Sequence, residues 1–279
     1  MPLPLPTSLS PSKVSSFTEC ALAFRFSAID HLHDPPTVAT VRGTLVHATL
    51  ERLMLLEPAE RSVDAAVGCL SEAHSALREH PEWLELALDA EAEAELLADA
   101  KKLTRRYFEI EDPTTVTPIG LELRMEVELD GLSLRGIIDR LELDEDGELV
   151  VTDYKTGRAP RQNNEQARLG GVHFYSFLCE RLLGRRPSRV QLLYLSDPVA
   201  ITTVPSQQST RQLERKVRAI WSAIERSCER EDFRPKPSRL CDYCAFRQWC
   251  PSFGGDPALA PRDDAAAGQL VGAPLASSA

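Results

Sequence analysis

The stretch GIIDRLELDEDGELVVTDYKTG, residues 136–157, decides how this chain is read. Two runs with period-two character flank the turn former Asp144-Glu145-Asp146-Gly147, the pattern of a β-hairpin. Alternation puts Ile137, Asp139, Leu141 and Leu143 on one face of the first strand, and Leu149, Val151, Asp153 and Lys155 on one face of the second. Pairing those faces brings two carboxylates and an ammonium onto an otherwise apolar surface. Burying carboxylates there is costly, and a bound divalent cation is the usual compensation. A lone D-x-K is by default an exposed ion pair, but the second aspartate and its apolar setting favour a site. Such a set suits phosphodiester hydrolysis, in which Mg²⁺ or Mn²⁺ polarises the phosphoryl oxygen and acidifies a water. A lysine beside the metal can orient that water or neutralise developing charge.

Working outward, LELRMEVELDG supplies a preceding strand and completes a meander of three antiparallel strands. Downstream, 162–184 reads as a helix, RVQLLYLS and AITTVP as two strands, and 208–230 as a long helix. Upstream, SPSKVSSFTECALAFRF reads as a helix with Ser10 or Ser12 as N-cap. RGTLVHATLERLMLLE repeats Leu45, Leu50, Leu53 and Met54 at helical spacing, and two more helices fill 62–80 and 82–109. The Pro-rich residues 1–11 and the Ala/Pro/Gly-rich residues 252–279 are expected to be loose and disordered. The result is an α/β core at about 119–230 with a helical elaboration at about 42–110, all within one domain spanning 12–251.

No apolar run approaches the roughly 18 residues of a membrane span, and the N-terminus is a poor signal peptide. Seven cysteines without a secretory signal predict a reducing, cytoplasmic location rather than a disulfide framework. The net charge of −10 is unevenly spread. Glu57–Asp99 holds 12 acidic and 2 basic side chains, whereas Lys155–Cys250 holds 18 basic and 9 acidic, enough to face an anion. The basic segments 186–189, 211–218 and 234–239 could track phosphates, and Trp221, Phe233 and Trp249 could pack in the core or stack on bases. No G-x-x-x-x-G-K-[ST] loop is present, so an ATP-driven helicase partner would be a separate chain.

CDYCAFRQWC, residues 241–250, brings Cys241, Cys244 and Cys250 together, one thiolate short of a closed metal site. Four thiolates suit either zinc or iron–sulfur. Cys69, Cys179 and Cys228 lie in helical segments without ligand spacing and read as small buried hydrophobes. His31, His33, His74 and His80 read as surface residues.

With these residues in view, GIIDRLEL and LVVTDYKTG resemble the two central motifs of the PD-(D/E)xK nuclease superfamily, in its RecB-family exonuclease branch. RGTLVHATLERL resembles that branch's G-x-x-x-H helix, and VHFYSFLCE the tyrosine-bearing helix after the lysine. The similarity runs in order from about Ser10 to Pro251 and is shared with CRISPR-associated and AddB-type nucleases. The resemblance implies a restriction-endonuclease-like mixed sheet flanked by helices. It implies His47, Asp139, Asp153 and the carbonyl of Tyr154 as ligands of Mg²⁺ or Mn²⁺. Lys155 becomes the catalytic lysine and Tyr175 a supporting tyrosine, with Glu122 a weaker accessory carboxylate and Glu51 a possible orienter of His47. It also implies Cys20 as the missing thiolate, so that Cys20, Cys241, Cys244 and Cys250 hold a 4Fe–4S cluster in preference to zinc. Many relatives carry glutamine where this chain has Gly171, a role Gln166 or His173 could take. The implied activity is metal-dependent hydrolysis of DNA, on single strands or ends, in repair or recombination. The alternatives are an inactive DNA-binding module and a zinc-stabilised interaction protein.

Overall fold

A computed structural model of the chain describes residues 2–160 and 165–261, with backbone alone for 165–172. The chain falls into two compact units, one of residues 35–216 and one of residues 1–34 with the segment from 217 onward.

In the unit built from the chain ends, α1 (Pro11–Glu19) is capped by Ser10, which accepts from the Lys13 N–H at 3.2 Å. The helix expected across SPSKVSSFTECALAFRF does not continue. It breaks at Cys20, whose backbone is extended at φ −158°, ψ 108°, before α2 (Ala21–Ala28) begins. The Pro-rich start is pinned rather than loose: Leu3 and Leu9 are buried, and the Leu3 N–H donates to the Cys228 carbonyl at 3.1 Å. The interior of this unit holds the buried pair Arg25–Asp30 at 2.9 Å and Phe26 packed on Phe246 and Trp249. From Arg239 to Leu259 the backbone runs in short 3-10 turns. Residues 252–261 are therefore more ordered than expected, and 262–279 lie outside the described residues.

The other unit opens with α3 (Val38–Leu55), started by a capping box between Thr37 and Thr40. α4 (Val63–Leu77), α5 (Pro81–Glu85) and α6 (Ala90–Tyr107) follow. The single helix expected over 82–109 is interrupted at residues 86–89. There Ala87 turns to φ 46° and Asp89 recaps the chain by accepting from the Ala92 N–H at 2.8 Å. Leu45, Leu50, Leu53 and Met54 of α3 are buried against Leu70, Leu96, Leu103 and Tyr107 of α4 and α6. These apolar faces carry the helical core.

The sheet contains β1 (Pro118–Leu129), β2 (Leu132–Leu143), β3 (Leu149–Lys155), β4 (Arg189–Tyr194) and β5 (Val199–Thr203), in the order 1-2-3-4-5. The first three form the expected antiparallel meander. β4 runs parallel to β3 and β5 antiparallel to β4, which makes the sheet mixed. A parallel neighbour demands a crossover, supplied by α7 (Glu165–Leu183). The start expected for this helix at 162–164 lies outside the described residues. α8 (Gln207–Arg230) follows β5. No helix of the described residues is long and apolar enough to cross a membrane.

One arginine fastens the helical layer to the sheet's first strand. Arg61 is buried, and its guanidinium donates to the carbonyls of Met54, Leu56, Pro113 and Val116 at 2.8–3.0 Å. It closes the C-terminus of α3 and the turn before β1 together. Arg61→Ala leaves several buried acceptors without a donor, and a loss of about 3 kcal/mol in chemical denaturation is expected. A change below about 1 kcal/mol would mean that water replaces the guanidinium.

Candidate active site

The ladder between β2 and β3 ends at the pair Arg140–Thr152. One residue past that end, on the two strands, stand Asp139 and Asp153, both buried. Because the strands part here, the Tyr154 N–H has no main-chain acceptor across the gap and donates instead to Asp139 Oδ2 at 2.7 Å. The same Asp139 oxygen lies 3.5 Å from His47 Nδ1, brought in by α3. Asp153 faces the Lys155 ammonium in a close ion pair, and the Tyr175 hydroxyl of α7 hydrogen-bonds to Asp153.

Glu122 completes the cluster. On β1, Leu121 pairs with Arg140 and Leu123 with Ile138, so Glu122 stands across from Asp139. Its backbone adopts φ 43°, a left-handed conformation that costs a non-glycine residue about 1–2 kcal/mol. Such strain persists where the surroundings over-determine it, and it concentrates at functional sites. Ligand atoms of His47, Glu122 and Asp139 all lie within 4.8 Å of one another, the only such trio among the described residues. Glu122, read from the sequence as a weaker accessory carboxylate, thus stands within the cluster. Glu51, read as an orienter of His47, makes no hydrogen bond to it; Asp139 sits beside the ring instead.

The charges show how a cation would suit these residue types. Burial, then repulsion from Asp139, pushes Glu122 up to about 7 and Asp153 up to about 6, the latter moderated by Lys155. Burial alone would lower His47, but Asp139, Asp153 and Glu122 outweigh it and raise the imidazole to about 9. A divalent ion is the direct remedy for carboxylates crowded in a partly dry site. The donor set, one imidazole and hard carboxylate oxygens, fits Mg²⁺ or Mn²⁺.

A pH signature follows. The two carboxylates titrate above their unfolded values, so the native state holds more protons than the unfolded chain between about pH 4 and 7. Metal-free stability therefore falls as pH rises through that window. A cation must displace those protons, so its stabilising effect grows with pH. Thermal melts with and without Mn²⁺ are expected to show a larger rise in Tm at about pH 8 than at about pH 5.5. Equal rises at both would place the cation elsewhere.

Gly136 explains how α7 reaches the site. A Cβ there would stand 2.8 Å from Leu178 Cδ1 and 3.3 Å from the Tyr175 ring, so the glycine lets the tyrosine helix lie directly on β2. His173 of the same helix is half-buried. Gln166 and Gly171 lie where side chains are outside the described residues, so the glutamine question has no structural answer there.

In the unit of the chain ends, Cys20, Cys241, Cys244 and Cys250 line one small cavity with Phe26, Phe246 and Phe253. Burial and the three neighbouring thiols raise the Cys244 thiol. No three of these sulfurs come within the 4.8 Å that gathers His47, Glu122 and Asp139. Cys69, Cys179 and Cys228 are buried as expected. Phe233 is buried and unavailable for stacking, whereas Trp221 and Trp249 are half-buried. Several basic side chains are already paired, with Arg234 on Asp232 and Arg185 on Glu148.

A family model described as the PD-(D/E)XK nuclease superfamily matches residues 8–251. The chain belongs to this superfamily. Its mixed five-stranded sheet flanked by helices is consistent with the PD-(D/E)XK core, and nucleases of this superfamily use divalent metals and act on DNA. The Gene 69 protein of Mycobacterium phage D29 is 25% identical over 276 residues, covering 88% of this chain and 96% of that protein. The Gene 69 protein of Mycobacterium phage L5 is 26% identical over 137 residues, covering 48% and 45%. A crystal structure from Eubacterium rectale, provisionally named an exonuclease, superposes with a TM-score of 0.54 at 12% identity. That match covers 85% of this chain and 87% of the other and is a likeness of fold.

Proposed function

We propose that this PD-(D/E)XK protein is a Mg²⁺- or Mn²⁺-dependent deoxyribonuclease of the RecB-like branch, acting as an exonuclease on single-stranded DNA or DNA ends in repair or recombination. The convergence of His47, Glu122 and Asp139 ligand atoms within 4.8 Å, beside the Asp153–Lys155 pair, carries the reading.

His47, Asp139, Asp153 and the Tyr154 carbonyl would hold the ion, with Glu122 a fifth donor. Held there, a divalent cation would polarise the scissile phosphate and acidify a nearby water. Asp139 is held by the Tyr154 N–H, so one of its oxygens is oriented before any ligand arrives. Lys155 keeps its charge: although burial lowers it, Asp153 and Asp139 raise its pKa above the ordinary value. Its ammonium therefore stays available to neutralise charge developing on the phosphate. Burial, with the nearby Asp153 and Asp139 carboxylates, raises the Tyr175 phenol well above its ordinary value, so it stays a hydrogen-bond donor that steadies Asp153.

The four thiols would hold a 4Fe–4S cluster. The single cavity that all four cysteines line, beside Phe26, Phe246 and Phe253, supports one shared site. A helicase on a separate chain would supply single strands, and the site of action would be the cytoplasm.

The test is digestion of labelled single- and double-stranded DNA with Mg²⁺, Mn²⁺ or EDTA. Digestion that needs the cation and runs from ends is the expected result. Activity in EDTA would overturn the metal mechanism, and cutting of closed circles would overturn the exonuclease assignment.

A further inference from the structure

Beside the carboxylates lies a residue that the sequence reading passed over. Arg140 is fully buried. It follows Asp139, so strand alternation turns its side chain to the opposite face of β2. There its Nη1 donates to the Tyr154 hydroxyl at 2.9 Å and its Nη2 to Thr152 Oγ1 at 3.1 Å. Thr152 also accepts from Gln191 Nε2 of β4 at 2.8 Å. Glu111 takes the guanidinium in a two-pronged pair at 2.5 and 3.0 Å, and Glu142 forms an ion pair with it, 2.5 Å from Nε. The Tyr107 hydroxyl of α6 joins through Glu111 at 2.5 Å.

This is an expensive way to hold a sheet together. Buried ionic groups are often replaceable by apolar side chains at no loss of stability. The placement is more informative than the energy. Thr152 and Tyr154 flank Asp153, and main-chain pairing of β2 with β3 stops at Arg140–Thr152, just short of both carboxylates. Beyond that point the strands are linked by side chains, by Asp139 accepting from the Tyr154 N–H on one face and by Arg140 donating to Tyr154 and Thr152 on the other.

We propose that Arg140 is a positioning residue for the metal site, gripping Tyr154 and Thr152 from behind the sheet so that Asp139, Asp153 and the Tyr154 peptide keep the spacing a divalent cation needs. The proposal rests on the metal-site reading above. Tyr154→Phe removes one hydroxyl and keeps the ring in the core, and Thr152→Val is similarly mild. Arg140→Lys retains a charge but cannot bridge two acceptors in a fixed fork.

The measurement is Mn²⁺ affinity of the full-length protein without DNA, by electron paramagnetic resonance or calorimetry, alongside thermal melts. Tyr154→Phe and Arg140→Lys are expected to raise the Mn²⁺ Kd about tenfold, the scale of outer ligand-orienting contacts, with folding retained. A lowered Tm with an unchanged Kd would make the network purely structural and overturn the proposal. Asp139→Asn separates the two readings. If it abolishes Mn²⁺ binding while Tyr154→Phe and Arg140→Lys bind as wild type does, only the positioning role falls. If Asp139→Asn binds Mn²⁺ normally, both readings fall.

Discussion

Asp153→Ala and Lys155→Ala are each expected to lower turnover on single-stranded DNA by about a thousandfold, the scale at which a metal ligand or a charge-stabilising donor matters. Asp153 is buried, paired with Lys155 and hydrogen-bonded by the Tyr175 hydroxyl. Stability is expected to move the other way. Burial and repulsion from Asp139 hold Asp153 up at about 6, so above that pH the metal-free fold pays for an ionised group that Asp153→Asn removes. Denaturation at about pH 8 in EDTA should find Asp153→Asn at least as stable as wild type, an activity–stability trade. Lys155→Ala lacks that relief, because it leaves Asp153 without its counter-charge, and it should be both inactive and less stable. Wild-type turnover in either alanine variant would remove these residues from the chemistry.

Cys20→Ser and Cys250→Ser are expected to abolish the visible absorbance and bound iron of the purified protein and to lower Tm by more than about 10 °C. Assembly of a cluster is coupled to folding, because its ligands meet only in the native state. For a chain of this size, each kcal/mol moves Tm by about 2–4 °C. The local geometry shows what would be lost. Cys20 sits at the break between α1 and α2, and the segment from Arg239 to Leu259 has only short 3-10 turns of its own. Gly255 closes that segment by donating its N–H to the Cys250 carbonyl at 3.0 Å, and a Cβ there would lie 2.2 Å from the Gln248 carbonyl oxygen. Colourless wild-type protein containing zinc would reverse the choice of metal, while unchanged Tm in both serine variants would show that these cysteines do not couple metal binding to folding.

The hairpin around Asp139 and Asp153 was legible because strand alternation has a period of two and the turn residues are distinctive. The α3 histidine was legible only through its resemblance to a family motif, since a histidine among leucines carries no local signal. Helix continuity failed at Cys20 and at Ala87. In both places the residues on either side are helix formers, and the break depends on backbone angles that propensity does not register. Glu122 looked like any strand carboxylate, because its positive φ and its place across from Asp139 arise from the pairing of β1 with β2. Arg140 was read as part of a motif and given no role. Its partners Glu111, Thr152 and Tyr154 lie 12 to 29 residues away in sequence, and no periodicity links them.

The sequence by itself determined the three-stranded meander, the shared face of the D…D-x-K set and the cluster of Cys241, Cys244 and Cys250, whereas Cys20 joined them only through the family resemblance. These follow from patterns of residues close in the chain, where alternation and spacing translate directly into faces. Tertiary structure alone decided that the β2–β3 ladder ends one residue short of the carboxylates, that Glu122 enters their cluster, and that a buried arginine braces the strands from behind. Each depends on where separate segments stop pairing, and that is settled by packing among distant residues.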